Sequence, residues 1–114
     1  MNGSMHPPQL DGFVHLFNAE AFFEAHEVLE DYWRRPDCQE RALYQGIIQI
    51  AAACVHLKNG TPEGAGELLK KARQNLTPYL TIYRELDLPK ILEETERRLR
   101  EPFAPFPKIS YCNL

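Results

Sequence analysis

The segment from Leu43 to Leu57 constrains the fold more than any other part of the chain, because it contains no Asp, Glu, Lys or Arg. Its longest apolar stretch, residues 47–57, is interrupted only by Gln49 and His56 and is too short to span a bilayer. We therefore predict a helix that is buried on most of its sides. The chain of 114 residues has the length of one domain, and its 44% hydrophobic share is enough for a packed core.

Capping residues and prolines predict two helices before this segment. Residues 10–17 have apolar side chains at helical spacing and form a first short helix. Asn18 is the expected N-cap of a second helix, which runs from Ala19 to about Arg35 and ends before Pro36.

The central helix and the helices after it also have predicted boundaries. Asp37 and Glu40 resemble a capping box that opens the third helix, which ends at about Lys58. Residues 61–63 combine a threonine cap, a proline and an acid, a pattern that opens a fourth helix.

Prolines shape the rest of the helical region. Pro78 either kinks the fourth helix or begins a separate short helix that runs through Tyr83. The last helix runs from Leu88 to about Glu101.

These elements predict an all-α fold, a compact bundle of about five helices with an extended C-terminal tail. The helical domain covers residues 10–101, after a flexible N-terminus at 1–9, and the tail covers 102–114 with prolines around Phe103 and Phe106. We favour docking of these two rings on the helices over a tail that serves as a ligand for another protein.

Composition and charge exclude several classes of function. The net charge is −3 and no basic run is present, so binding to nucleic acid is not expected. No stretch predicts a membrane span or a signal peptide. The 3 cysteines are widely spaced and have no C-x-x-C motif, so neither a disulfide scaffold nor a zinc ribbon is expected. We expect a soluble protein in a reducing cytoplasm.

Polar residues interrupt the apolar face of the predicted second helix. On a helical wheel His26 and Glu30 lie in the middle of that face, and Glu27 lies at its margin. An ordinary surface helix has leucine or alanine at such positions. The apolar members of the face are Phe22, Phe23, Ala25, Leu29 and Trp33.

The third helix has a matching polar stripe formed by Gln45, Gln49 and His56. Only a few residues link the two helices, so they should be neighbours in space. A buried polar group without a partner costs about 1–3 kcal/mol, and a buried carboxylate costs more. We therefore predict that the two polar stripes meet between the helices.

Two segments resemble a known family. Residues 17–34 read FNAEAFFEAHEVLEDYWR and residues 43–53 read LYQGIIQIAAA, followed by His56 and by Gly64-Ala65. This double motif resembles the DUF309 family over roughly residues 10–80. The resemblance implies a small helical bundle of uncharacterised function and supplies no reaction. It marks these family-like positions: His26, Glu27, Glu30, Trp33, Gln45, Gln49 and His56.

The stripe has several candidate roles, and we expect an uncharacterised helical domain whose stripe is structural or binds a ligand or partner. A satisfied polar network would fix the register of the two helices. Alternatively, His26, Glu30 and His56 are suitable metal ligands, although residues 26–30 do not match the H-E-x-x-H motif. No other cofactor is predicted.

Two further alternatives remain open. A hydrolase-like site could use His26 as a general base oriented by Glu30, with Trp33 and Tyr44 as aromatic walls. Because no nucleophile motif is present, we favour a protein that is not an enzyme. A tetratricopeptide-like interaction module is the other alternative, although no 34-residue period is found. A protein partner or a homo-oligomer is compatible with each of these roles.

Overall fold

Five α-helices and one 3₁₀ turn form the part of the chain that the computed structural model describes, residues 6–83 and 85–112. The predicted all-α fold of about five helices is confirmed. The helices are α1 (Pro8–Asn18), α2 (Phe22–Trp33), α3 (Arg41–Lys58), α4 (Pro62–Leu76) and α5 (Leu88–Arg100), with the 3₁₀ turn at Thr77–Tyr79. Every helix in these ranges falls short of the length and apolar character that crossing a membrane requires.

Helix α3 lies at the centre of the bundle, as its lack of charge predicts. Nine of its 18 residues are buried, and it packs most extensively against α4 and α2. Cys54 is fully buried, and this burial raises the pKa of its thiol to about 12. It therefore behaves as a small apolar core residue rather than as a reactive thiol.

Helix α3 packs closely against α4 at Gly46. A β-carbon at this position would lie 2.6 Å from Leu76 Cγ and 3.3 Å from the carbonyl oxygen of Ala72. Leu76 and Ala72 are fully buried, so neither can move away into solvent. Glycine is therefore required at this contact because it has no side chain.

Two predicted caps are wrong. Asn18 is the last residue of α1 and does not cap α2, whose N-cap is Ala21. The N-cap of α3 is Glu40, which has a left-handed backbone (φ 56°) and makes no side-chain capping bond. Asp37 is bound instead by the guanidinium of Arg35 at 3.1 Å, and this contact lowers the pKa of the Asp37 carboxyl. In both cases the polar side chain that was expected to cap a helix bonds elsewhere: Asn18 bonds to Ile109, and Asp37 bonds to Arg35.

The C-terminal tail is held by the Asn18 side chain. The Asn18 amide nitrogen donates to the carbonyl oxygen of Ile109 at 2.8 Å, and the Asn18 side-chain oxygen accepts from the Ile109 backbone N–H at 2.7 Å. Ile109 is buried, and Pro107 before it is fully buried. The tail therefore completes the core instead of extending into solvent.

The two tail phenylalanines differ. The Phe106 ring packs 5.1 Å from the Phe22 ring, between centroids, and the guanidinium of Arg98 lies 4.3 Å from the Phe106 centroid. Phe103 is 100% exposed. The expected docking of both rings is therefore right for Phe106 and wrong for Phe103.

Replacing Asn18 with alanine should loosen the tail. The variant loses both hydrogen bonds to Ile109, so the backbone N–H and carbonyl of Ile109 have no protein partner from residue 18. We expect the free energy of unfolding to fall by about 1–3 kcal/mol. Urea denaturation followed by circular dichroism measures this. Asn59→Ala, which truncates an exposed asparagine after α3, is the control. Equal stability of the two variants would contradict the proposed role of Asn18.

Alanine at two helical glycines should have opposite effects. Gly46→Ala forces a β-carbon against Leu76, and overpacking of this kind costs about 1–3 kcal/mol, which outweighs a gain of up to ~1 kcal/mol in helix propensity. Gly66→Ala meets only Leu99 Cδ2, at 4.0 Å, so it should gain stability. Thermal unfolding of both variants tests the pair, and a Gly46→Ala protein as stable as Gly66→Ala would show that α3 and α4 do not pack closely.

Candidate functional site

A pocket of about 210 Å³ lies between α2 and α3, and Leu68 of α4 closes one side of it. Its walls combine polar and apolar side chains and open to solvent. Five of the seven residues that the sequence singles out line it: His26, Glu30, Trp33, Gln45 and Gln49. The apolar part of the lining is Ile48, Ala52 and Leu68.

The polar wall from α2 is formed by His26 and Glu30, one helical turn apart. Their side chains are 24% and 28% exposed, and His26 Nε2 lies 3.9 Å from Glu30 Oε1, beyond hydrogen-bond distance. The same carboxylate oxygen is 3.3 Å from the guanidinium of Arg34, whose side chain is 70% exposed. Glu30 is therefore half-buried and has only a loose, solvent-exposed ion pair.

His26 has an unsatisfied ring nitrogen. Its Nδ1 atom is buried and has no hydrogen-bond partner among residues 6–83 and 85–112. The ring stacks on Phe23, with 6.0 Å between centroids. Phe23 itself is 55% exposed, so its predicted place on the buried face of α2 is wrong. An exposed aromatic ring beside an unpaired imidazole is unusual for a region that serves packing alone.

The polar wall from α3 is oriented by α4. Asn75 Nδ2 donates to Gln49 Oε1 at 2.9 Å, which leaves the Gln49 amide hydrogens free to donate elsewhere. Sequence analysis missed Asn75 and Leu68, because the register of α4 against α3 is set by packing and not by any local pattern. The small residue Gly46 within α3 is a signal in the sequence that another helix packs closely there.

Trp33 forms a fixed wall at the end of α2. Its indole N–H donates to the carbonyl oxygen of Arg41 at 3.1 Å. The guanidinium of Arg41 also lies over the Trp33 ring, 4.5 Å from its centroid. These two contacts tie α2 to the start of α3, so this side of the pocket is preformed.

His56 and Glu27 lie away from the pocket. His56 Nδ1 is 2.8 Å from Thr61 Oγ1, and the His56 ring covers Gly64, where a β-carbon would lie 2.6 Å from the ring. His56 therefore fastens the turn between α3 and α4. Glu27 is exposed on α2.

The three candidate metal ligands do not come together. His26 and Glu30 line the pocket between α2 and α3, whereas His56 does not. Within residues 6–83 and 85–112, no group of three His, Cys, Asp or Glu side chains is placed to hold a metal ion. The geometry therefore does not support the alternative in which His26, Glu30 and His56 bind a metal together.

The two polar stripes share one pocket without bonding to each other. Across the part of the chain that the structure describes, no hydrogen bond joins His26 or Glu30 to Gln45 or Gln49. The closed network expected of a purely structural role is therefore not formed. Whether these side chains serve a function remains a prediction.

Fold and site together define a small all-α domain with a half-open polar pocket between two consecutive helices. The chain belongs to the DUF309 family, described as a domain of unknown function, whose model matches residues 10–68. This range includes every lining residue of the pocket.

Two relatives are also similar to this chain. An uncharacterized protein of Bacillus subtilis, YpuF, is 34% identical over 61 residues, which are 53% of this chain and 35% of that protein. An uncharacterized protein of Aquifex aeolicus is 28% identical over 78 residues, which are 68% of this chain and 23% of that protein. The chain thus matches about a third or less of the length of these relatives.

Replacing His26 with leucine should leave the protein as stable as before, or more stable. The variant removes a buried nitrogen that has no partner, and such a group costs about 1–3 kcal/mol in the folded state. Thermal and urea unfolding measure the change. The matched control is Leu29→Ala on the same helix, which should lose about 2–5 kcal/mol because Leu29 is fully buried. A clear loss of stability in His26→Leu would mean that the ring is needed for packing.

Proposed function

We propose that this protein is a ligand-binding domain that holds a small organic molecule in the pocket between α2 and α3. One observation carries the proposal: His26 lines the pocket, and its Nδ1 atom is buried without a hydrogen-bond partner. Native cores pair nearly all such atoms. A ligand in the pocket can pair with this nitrogen once the His26 ring rotates, because in its present position the atom has almost no solvent-accessible surface.

The lining supports binding rather than packing as the role of the polar stripe. A small-molecule site has mostly apolar walls with a few polar groups that fix orientation. Here Ile48, Ala52 and Leu68 supply the apolar part, while Glu30 and Gln49 supply an acceptor and a donor. A network kept only for helix register would have satisfied itself internally.

The size of the pocket limits its ligand. A volume of about 210 Å³ is below the range of roughly 300–1,000 Å³ that is typical of small-molecule pockets. The proposal is therefore a ligand smaller than an ordinary drug molecule, or a larger one of which only part is enclosed.

A fragment screen by NMR tests this function. Small aromatic and aliphatic fragments of every charge type are added to ¹⁵N-labelled protein, and we expect shifts concentrated at the amides of the pocket residues. Filling the pocket with Ala52→Leu should abolish them. Ala42→Leu, on the same helix but outside the lining, should not. Failure of every fragment to shift the pocket residues would contradict the proposal.

A further inference from the structure

We infer that the ligand of this pocket is a small organic cation with N–H donors, a primary ammonium or an amidinium on a short apolar or aromatic body. The inference rests on the proposed function and adds the chemical class of the ligand. It follows from the charge of the lining, from the weak ion pair between Glu30 and Arg34, and from the apolar part of the lining.

The lining has one carboxylate and no Lys or Arg. Glu30 is the only Asp, Glu, Lys or Arg side chain among the described residues that line the pocket. Its half-burial strengthens its interaction with a nearby charge compared with bulk water. A cation in the pocket is therefore attracted, whereas an anion of the same size would face the carboxylate directly.

The existing partner of Glu30 does not satisfy it. Arg34 reaches Glu30 from outside the pocket, at 3.3 Å and with a side chain that is 70% exposed. Exposed pairs of this kind contribute about 0–1 kcal/mol. A ligand cation can therefore share or replace this contact at little cost, while Arg34 returns to solvent.

The remaining walls suit the rest of such a ligand. The amide oxygen of Gln49 is already occupied by Asn75, so the carboxylate of Glu30 is the strongest acceptor left in the pocket. Ile48 and Leu68 offer an apolar surface to the body of the ligand. A neutral fragment of the same shape would bury the same apolar area but leave Glu30 without a charged partner.

A charge series on one ring tests the inference in the unmodified protein. Benzylamine, benzyl alcohol and benzoate have nearly the same size and differ in charge. Each is titrated at about pH 8, where a primary amine is protonated and a carboxyl group is ionised. We expect benzylamine to bind at least about tenfold more tightly than benzyl alcohol, and benzoate to bind least, by NMR shifts of the pocket amides.

Two variants locate the source of the preference. Glu30→Gln should remove the advantage of benzylamine over benzyl alcohol. Glu27→Gln makes the same change of charge on the same helix outside the pocket, and it should keep the advantage. An equal loss in both variants would indicate a general effect of charge and overturn the inference.

The possible outcomes distinguish a failure of the inferred ligand class from a failure of the proposed binding function. If benzyl alcohol or benzoate occupies the pocket as tightly as benzylamine, the cationic ligand class is wrong and the binding function stands. If none of the three binds and the fragments that do shift the pocket amides are neutral or anionic, the ligand class is again wrong. If nothing shifts these amides, both proposals fail.

Discussion

The close packing of α3 against α4 is the contact on which the rest of the structure depends. It is made possible by Gly46, where a β-carbon would come within 2.6 Å of Leu76 Cγ. Because the two helices approach so closely, Asn75 reaches Gln49 at 2.9 Å and Leu68 closes the pocket. The site is thus built by three helices, although its polar residues come from two.

The polar residues of the pocket are expected to lower the stability of the fold. His26 has an unpaired buried nitrogen, and Glu30 is half-buried beside a loosely held arginine. Apolar residues at both positions would pack more favourably. Polar groups without firm partners beside a solvent-connected cavity support the proposed binding role, since proteins break packing rules most often where function requires it.

The tail shows why a local motif can be interpreted wrongly. Asn18 has the identity and position of a helix N-cap, a role that contributes about 1 kcal/mol. In the folded chain α1 extends through Asn18, and its side chain binds both backbone groups of Ile109, 91 residues later. Two hydrogen bonds to the buried Ile109 contribute more than one local cap. No sequence pattern near Asn18 indicates this distant contact.

The sequence by itself determined the number of helices, the central place of α3 and the identity of the four polar residues that line the pocket. These features follow from helical periodicity, proline positions and the absence of charge between Leu43 and Leu57, which are all local. Only the tertiary structure decided that His56 lies apart from His26 and Glu30, that Phe23 is exposed and that Asn75 orients Gln49. Periodicity defines which face of a helix a residue occupies, whereas the axial register and the neighbour opposite that face are set by side-chain packing between distant segments.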